Sequence, residues 1–392
     1  ADGAPDFSNR EGVNGPSGRA APGVLLKPGG CADSSDTVVC MDPEAVAVAG
    51  VDRGGAILAR HRSTSGASRL TLATTSETVG LADLNPGLED RDWGRLHEIA
   101  PTGDAEAPSW LLLPSDTTAG PPPLVVLMYP GAIFPSAPAW LRPGSDRLQI
   151  SALALVAAGY AVLAPSLPLV ADTPLDGADL AAQLDAVLAR VTASGLADTG
   201  RAALVGHSFG GYGALLVASH SDRYRAVIAN NGHTDLSRVL ELPAPTRLMP
   251  ESGPWYLLHT AWAETGQAAL GTSFVSDSEP WTAHSPLYAV ADLETPTLLI
   301  ESDLDGARMA SLFGALYRAD REAKLVTYFG EGHVYASPGN IRDMHAQILE
   351  WLEHYVLPPE PVDPVLPVVD PGLDRAPGQE AVAARVRDED LR

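Results

Sequence analysis

From Arg201 to Ser221 the chain reads Arg-Ala-Ala-Leu-Val-Gly-His-Ser-Phe-Gly-Gly-Tyr-Gly-Ala-Leu-Leu-Val-Ala-Ser-His-Ser. Ala202 to Val205 is an apolar run of buried-strand length. Gly206-His207-Ser208-Phe209-Gly210 fits G-x-S-x-G, and Ala214 to Ala218 reads as a helix. Strand, tight turn and helix are the setting in which this pentapeptide becomes a nucleophile elbow. The turn strains the backbone at Ser208, and side chains at Gly206 or Gly210 would collide with the neighbouring strand and helix. The hydroxyl is then presented at a strand tip, beside the N–H groups that open the helix. A glycine-rich turn with a capping serine has the same pentapeptide, so the partners elsewhere in the chain decide.

Working outward, the chain alternates. Leu124 to Tyr129 is a continuous apolar run suited to a strand covered on both faces. Gln149 to Ala158 is helical and Ala161 to Ala164 is the next strand. Leu180, Leu184, Val187, Leu188 and Val191 lie on one helix face. After the elbow come strands at 226–229, 297–301 and 325–329 and a helix from Ala307 to Tyr317. A last helix carries Ile341, Met344, Ile348, Trp351, Leu352 and Tyr355 on one side. Two further strands, 95–100 and 109–113, precede this series. Alternation requires parallel strands joined by crossovers. The expected fold is α/β: an α/β-hydrolase, with a mixed, mostly parallel eight-stranded sheet, helices on both faces and a small N-terminal β-rich segment. The domain reading is an extended arm over 1–44, the β-rich segment over 45–91, a catalytic domain over 92–357 and a Pro-rich tail over 358–392, with a short helix at 381–391. Residues 233–290 hold no strand and form a helical insertion above the carboxyl ends of the strands, where ligands bind in such sheets.

A serine hydroxyl needs a base, and the base needs an orienting carboxylate. In this architecture they follow in the order Ser, acid, His. The acid belongs after the seventh strand, in Glu301-Ser302-Asp303-Leu304-Asp305. Asp305, beyond the strand end, is the choice; Asp303 is the alternative, and either carboxylate could simply cap the following helix. Among ten histidines, His333 stands out in Gly330-Glu331-Gly332-His333, on a glycine-flexible loop just past the last strand. His207 is read as pointing into the sheet, His233 as a pocket residue, and His345 and His354 as belonging to the last helix. The oxyanion needs two donors. One is the N–H of Phe209, and the other comes from the loop at Tyr129-Pro130-Gly131-Ala132. Trp255 and Tyr256 are candidates for a pocket wall, though ordinary helix packing would place them equally well.

Composition bounds the partners. The formal net charge of −23 repels phosphate backbones and anionic lipid, so neither nucleic acid nor membrane is expected as a partner. No run approaches the ~18 apolar residues of a membrane span. The two cysteines, Cys31 and Cys40, close a short loop and suggest a disulfide. With no histidine near them they do not suggest a zinc site, and no metal or cofactor is expected. The chain starts at Ala1, which with the cysteine pair sets the expectation of a secreted or periplasmic protein.

Over about residues 92–356 the chain resembles the prolyl oligopeptidase family of serine peptidases. The likeness is carried by Gly206 to Gly213, by Ser285-Pro286-Leu287 with Thr295 to Ile300, by Gly330 to His333 with Trp351 to Tyr355, and by Glu264-Thr265-Gly266-Gln267 with Leu270-Gly271. It implies a Tyr hydroxyl as the second oxyanion donor, and Tyr129-Pro130-Gly131 matches that family's Tyr-x-Gly. Members usually carry a large β-propeller ahead of the catalytic part. The roughly 90 residues here are too few for one, although 45–82 could be a last blade, so the chain reads either as a piece of a longer protein or as a small-lid relative. Three functions compete: a peptidase, a carboxylester hydrolase using the same residues, and a catalytically silent hydrolase fold that binds a partner.

Overall fold

The computed structural model describes residues 31–34, 37–40, 45–51, 56–62, 65–74, 76–103, 106–143, 149–241, 260–305 and 309–357. Residues 1–30 and the tail from 358 onward, with the helix expected at 381–391, lie outside that set. Strands β1 (Cys31–Ser34) and β2 (Thr37–Cys40) form a hairpin inside the stretch read as an extended arm. The β-branched Thr37-Val38-Val39 run favours extended backbone there. The register sets Cys31 opposite Cys40; the expected disulfide concerns side chains outside the description. Strands β3 (Ala45–Val51), β4 (Ile57–Arg62), β5 (Ser68–Ala73) and β6 (Thr78–Leu84) make an antiparallel meander. Strand β6 closes the β-rich segment read over 45–91. All of its residues are exposed, so no buried alternation marked it.

The largest sheet is built on strands β7 (Arg95–Ile99), β8 (Ser109–Leu113), β9 (Pro123–Leu127), β10 (Ala161–Ala164), β11 (Asp198–His207), β12 (Ala226–Asn230), β13 (Thr297–Ser302) and β14 (Ala323–Tyr328). They form one eight-stranded sheet in the order β14-β13-β12-β11-β9-β10-β8-β7. Strands β9 to β14 run parallel to their neighbours among themselves, while β8 is antiparallel to both β10 and β7. The expected α/β-hydrolase sheet is therefore present. Helices among the described residues include α1 (Ala152–Ala157), α2 (Gly177–Ser194), α3 (Phe209–Ala218), α4 (Glu279–Ala283), α5 (Ala310–Arg318) and α6 (Pro338–Val356).

Both faces of the sheet are covered, which is why its central strands are apolar through their middles. On β9, Leu124 and Val126 join a core with α2, α3 and α5, whereas Val125 and Leu127 join a second core with α1 and α6. On β11, Ala202 and Leu204 face the first core, Ala203 and Val205 the second. The strand order reverses at β9: the chain passes to β10 on one side, then crosses to β11 on the other. Such a switch opens a crevice at the carboxyl ends of the strands.

Helix α3 starts at Phe209, five residues earlier than the Ala-rich segment predicts, and every residue in it is buried. Three glycines in its first turns are poor helix formers, but close packing overrides propensity. A Cβ on Gly210 would strike the carbonyl of Met128, and one on Gly206 would strike the carbonyl of Gly210. The collisions expected at these two glycines are there, with the strand on one side and the helix on the other.

Candidate active site

The site grows from the ends of β9, β11, β13 and β14. Ser208 caps α3 with φ 60° and ψ −124°, a left-handed conformation that a serine adopts only under constraint. Its N–H is held by the carbonyl of Asn230 at 2.8 Å. Loops after β13 and β14 bring the other two side chains in. His333 Nε2 lies 2.8 Å from Ser208 Oγ, and His333 Nδ1 lies 2.8 Å from Asp305 Oδ2. With the proton on Nδ1 donated to the carboxylate, Nε2 is left to accept from the serine. The Asp305 side chain is 17% exposed against 44% for His333, so the carboxylate sits behind the imidazole rather than in the open cleft. Asp303 turns elsewhere: its Oδ1 accepts from the N–H of Gly330 at 2.7 Å. Of the two carboxylates offered by the sequence, the structure brings Asp305 to the imidazole and uses Asp303 to fix the loop that carries it.

Several polar side chains hold this loop. Buried Asn231, at φ 45°, donates from Nδ2 to the carbonyl of His333 (3.1 Å) and accepts at Oδ1 from the N–H of Ser302 (2.9 Å). Ser302 Oγ donates to the carbonyl of Gly332 at 2.8 Å. Glu331, also buried, accepts from the amides of Ala336 (2.7 Å) and Ser337 (3.1 Å) and from Asn340 Nδ2 (2.7 Å). The Ala336 amide is the largest cause that holds its carboxyl below the usual glutamate range. On the acid's side, Glu301 accepts from the N–H of Met309 (2.7 Å) and from Thr327 Oγ1 (3.0 Å). Glu331→Ala strands three donors at once. We expect a loss of about 1–3 kcal/mol in stability and a lower kcat with little change in KM, measured by thermal melting and steady-state kinetics. Because the carboxyl is depressed in the folded protein, its contribution is full at neutral pH. It is lost as pH falls through that lowered value, and Glu331→Gln flattens this acid limb.

Tyr129 follows β9 and is 40% exposed; its hydroxyl lies 3.5 Å from Gln267 Nε2. Its ring packs edge-on against Phe209, with centroids 6.1 Å apart. The N–H of Phe209 is the first of α3, one of the donors that a helix cannot satisfy internally. On the far side of Phe209 stands Trp262, 6.0 Å away and edge-on, with His233 stacked on it at 4.4 Å. His233 is thus placed against the insertion through Trp262. Trp255 and Tyr256 lie outside the described residues, and Trp262 is the insertion aromatic that the structure does show here.

His207 is the last residue of β11, in register with Asn230 of β12. Its ring lies 4.8 Å from that of His333, and it lines a cavity beside Ser208. Its Nδ1 is buried without a hydrogen-bond partner. Burial first, and the nearby His333 second, push its pKa down to about 4, so at neutral pH it adds no charge beside the imidazolium that catalysis would form. A histidine that resists protonation when folded destabilises the fold once the unfolded chain can protonate. Stability from this group is intact above about 6.5 and falls as pH drops from there to about 4. His207→Gln removes that dependence, and melting temperature against pH measures it. The period-two pattern of β11 gives its side: residues 203 and 205 face the second core, and 207 continues that face at the end of the strand.

Among the described residues, no group of three or more His, Cys, Asp or Glu side chains is placed to hold a metal ion, and no helix is long and apolar enough to cross a membrane. What the site can do chemically is deprotonate a hydroxyl at a strand tip and stabilise an oxyanion beside it.

Comparison with known proteins gives a consistent picture. The model of the prolyl oligopeptidase family matches residues 175–358. No curated protein sequence matches the chain. Similar solved structures include the acylaminoacyl peptidase of Pyrococcus horikoshii, at 17% identity and TM-score 0.57, covering 83% of this chain and 52% of that one. A puromycin-hydrolyzing peptidase of Mycobacterium tuberculosis is similar at 16% identity and TM-score 0.55, covering 77% and 46%. Dipeptidyl peptidase 4 of Porphyromonas gingivalis is similar at 13% identity and TM-score 0.52, covering 84% and 55%. At these identities the likeness is one of fold, and the chain spans about half the length of each of these structures.

Proposed function

Because residues 175–358 match the model of the prolyl oligopeptidase family, we propose that the protein is a serine hydrolase that cleaves peptide bonds through an acyl-enzyme formed on Ser208. The observation that carries this reading is the relay from Asp305 through His333 to Ser208, two contacts of 2.8 Å each. His333 Nε2 takes the hydroxyl proton as Oγ attacks the substrate carbonyl. The carbonyl oxygen, now an anion, is received by the N–H of Phe209 and the hydroxyl of Tyr129. The imidazolium, steadied by Asp305, then gives its proton to the departing amine, and the C–N bond breaks. Water, deprotonated by His333, attacks the acyl-serine ester, frees the acid and restores Oγ–H.

The same machinery acts on esters, whose leaving alcohol asks less of the acid step. Turnover of peptide p-nitroanilides alongside short p-nitrophenyl esters tests the assignment. We expect both to be hydrolysed. A rate confined to short esters overturns the peptidase reading in favour of a carboxylester hydrolase. An oxidising compartment is part of the proposal, supported by the register that sets Cys31 against Cys40.

A further inference from the structure

The cavity beside Ser208 has a volume of about 360 Å³, at the small end of the ~300–1,000 Å³ usual for ligand sites. Apart from Ser208, His207, His333 and Tyr129, its lining is apolar: Phe134, Trp140, Ile150, Leu127 and Val205 are its main walls. Among the described residues, no Asp, Glu, Lys or Arg lines it. The walls are built rather than draped. Phe134 is tied to the sheet at both backbone groups, its N–H donating to Ser166 Oγ (3.0 Å) and its carbonyl accepting from Trp110 Nε1 (3.0 Å). Ser166 Oγ in turn donates to the carbonyl of Pro108 at 2.7 Å. Trp140 stands edge-on to Phe134 with centroids 6.0 Å apart. Ile150 is buried, and the side chain of its neighbour Gln149 accepts from the N–H of Tyr335 at 2.8 Å. A pocket preformed in this way costs little ordering on binding.

Which half of a substrate it serves follows from proton transfer. Attack by Ser208 leaves the acyl half on Oγ, while the departing half takes its proton from His333 Nε2. The departing half must therefore lie where both Ser208 and His333 form the wall, and this cavity is that space. The aromatic group of Phe209, Trp262 and His233 is separate from this lining except through Tyr129, which packs on Phe209 and also lines the cavity. That group is left for the acyl half. We propose that the cavity bounded by Phe134, Trp140 and Ile150 binds the leaving half of the substrate and selects a large apolar residue, aromatic or branched aliphatic, on the amine side of the bond that is cut. A charged side chain there would be stripped of water without a partner. The proposal rests on the acyl-enzyme reading above.

Acyl transfer run in reverse isolates this half. An acyl-enzyme is formed from a peptide p-nitrophenyl ester, and amino-acid amides compete with water for it. The amine nitrogen attacks the acyl carbon and loses its proton to His333. The bond from carbon to Ser208 Oγ breaks, and that proton returns to Oγ. The ratio of amide product to acid product reads occupancy of the leaving-half site. For the wild type we expect phenylalanine amide and leucine amide to exceed glycine amide by about tenfold or more, and aspartic acid amide to gain nothing over glycine. Trp140→Ala removes a wall, and Ala132→Leu fills the cavity from its lining; each should bring the phenylalanine-to-glycine ratio back toward one. Ala132→Leu removes nothing from the core, so it decides the matter if Trp140→Ala does not fold. A flat wild-type ratio, or one unchanged by the variants, while the donor is still hydrolysed, overturns the pocket assignment and leaves the catalytic reading standing. Absence of any Ser208-dependent turnover of the donor overturns both.

Discussion

We expect Ser208→Ala to lower kcat on every peptide and ester substrate by about 10⁶-fold and to abolish labelling by a fluorophosphonate. The size of the loss follows from what the hydroxyl does. Without it no acyl-enzyme forms, and His333 and Asp305 have nothing to activate, so losing one member costs nearly as much as losing the set. The remainder, ~10³–10⁴ above the uncatalysed rate, would come from substrate binding and the two oxyanion donors. The fold should not notice. The serine side chain is bonded to His333, and the strained φ of 60° burdens alanine as it does serine. Melting temperature should therefore stay close to that of the wild type, which separates loss of chemistry from loss of structure. A wild-type protein that takes no label would identify a silent hydrolase fold. Label that survives Ser208→Ala would place the nucleophile elsewhere.

The features read correctly from the sequence share a physical basis. Strands β9 and β11 are legible because burial on both faces leaves no polar position in their middles, and because glycines at 206 and 210 answer to backbone atoms that come too close for a side chain. His333 was reachable across 125 residues because chain order in this sheet fixes which strand end each group occupies. What escaped reading lacks a period. Asn231, Ser302 and Glu331 hold the histidine loop through contacts made one residue at a time, and loop polar residues carry no spacing that announces such a task. Trp262 sits in an insertion whose path is set by what it packs against, not by any repeat. His207 is the exception: alternation along β11 encodes its side, the same as that of Ala203 and Val205.

The second large effect separates two carboxylates that the sequence could only rank. Both Asp303 and Asp305 follow β13 on one short helical turn, two residues apart. That turn aims the first at the amide of Gly330 and the second at the imidazole. Asp305→Asn should lower kcat by about 10⁴-fold. An amide nitrogen facing Nδ1 would favour the tautomer with its proton on Nε2, which cannot accept from Ser208. The imidazolium of the transition state would also lose its countercharge. Asp303→Asn keeps an oxygen for the Gly330 amide, so its cost should be that of one weakened hydrogen bond, about 0.5–1.5 kcal/mol, felt in loop stability more than in rate. The measurement is kcat/KM and fluorophosphonate labelling rate for both variants on one substrate at neutral pH, with melting curves alongside. A loss at Asp303 that equals or exceeds the loss at Asp305 would hand the orienting role to the other carboxylate. It would also require the loop after β13 to turn differently in the working enzyme, because Asp303 in its present place is committed to the backbone of the loop that His333 rides on.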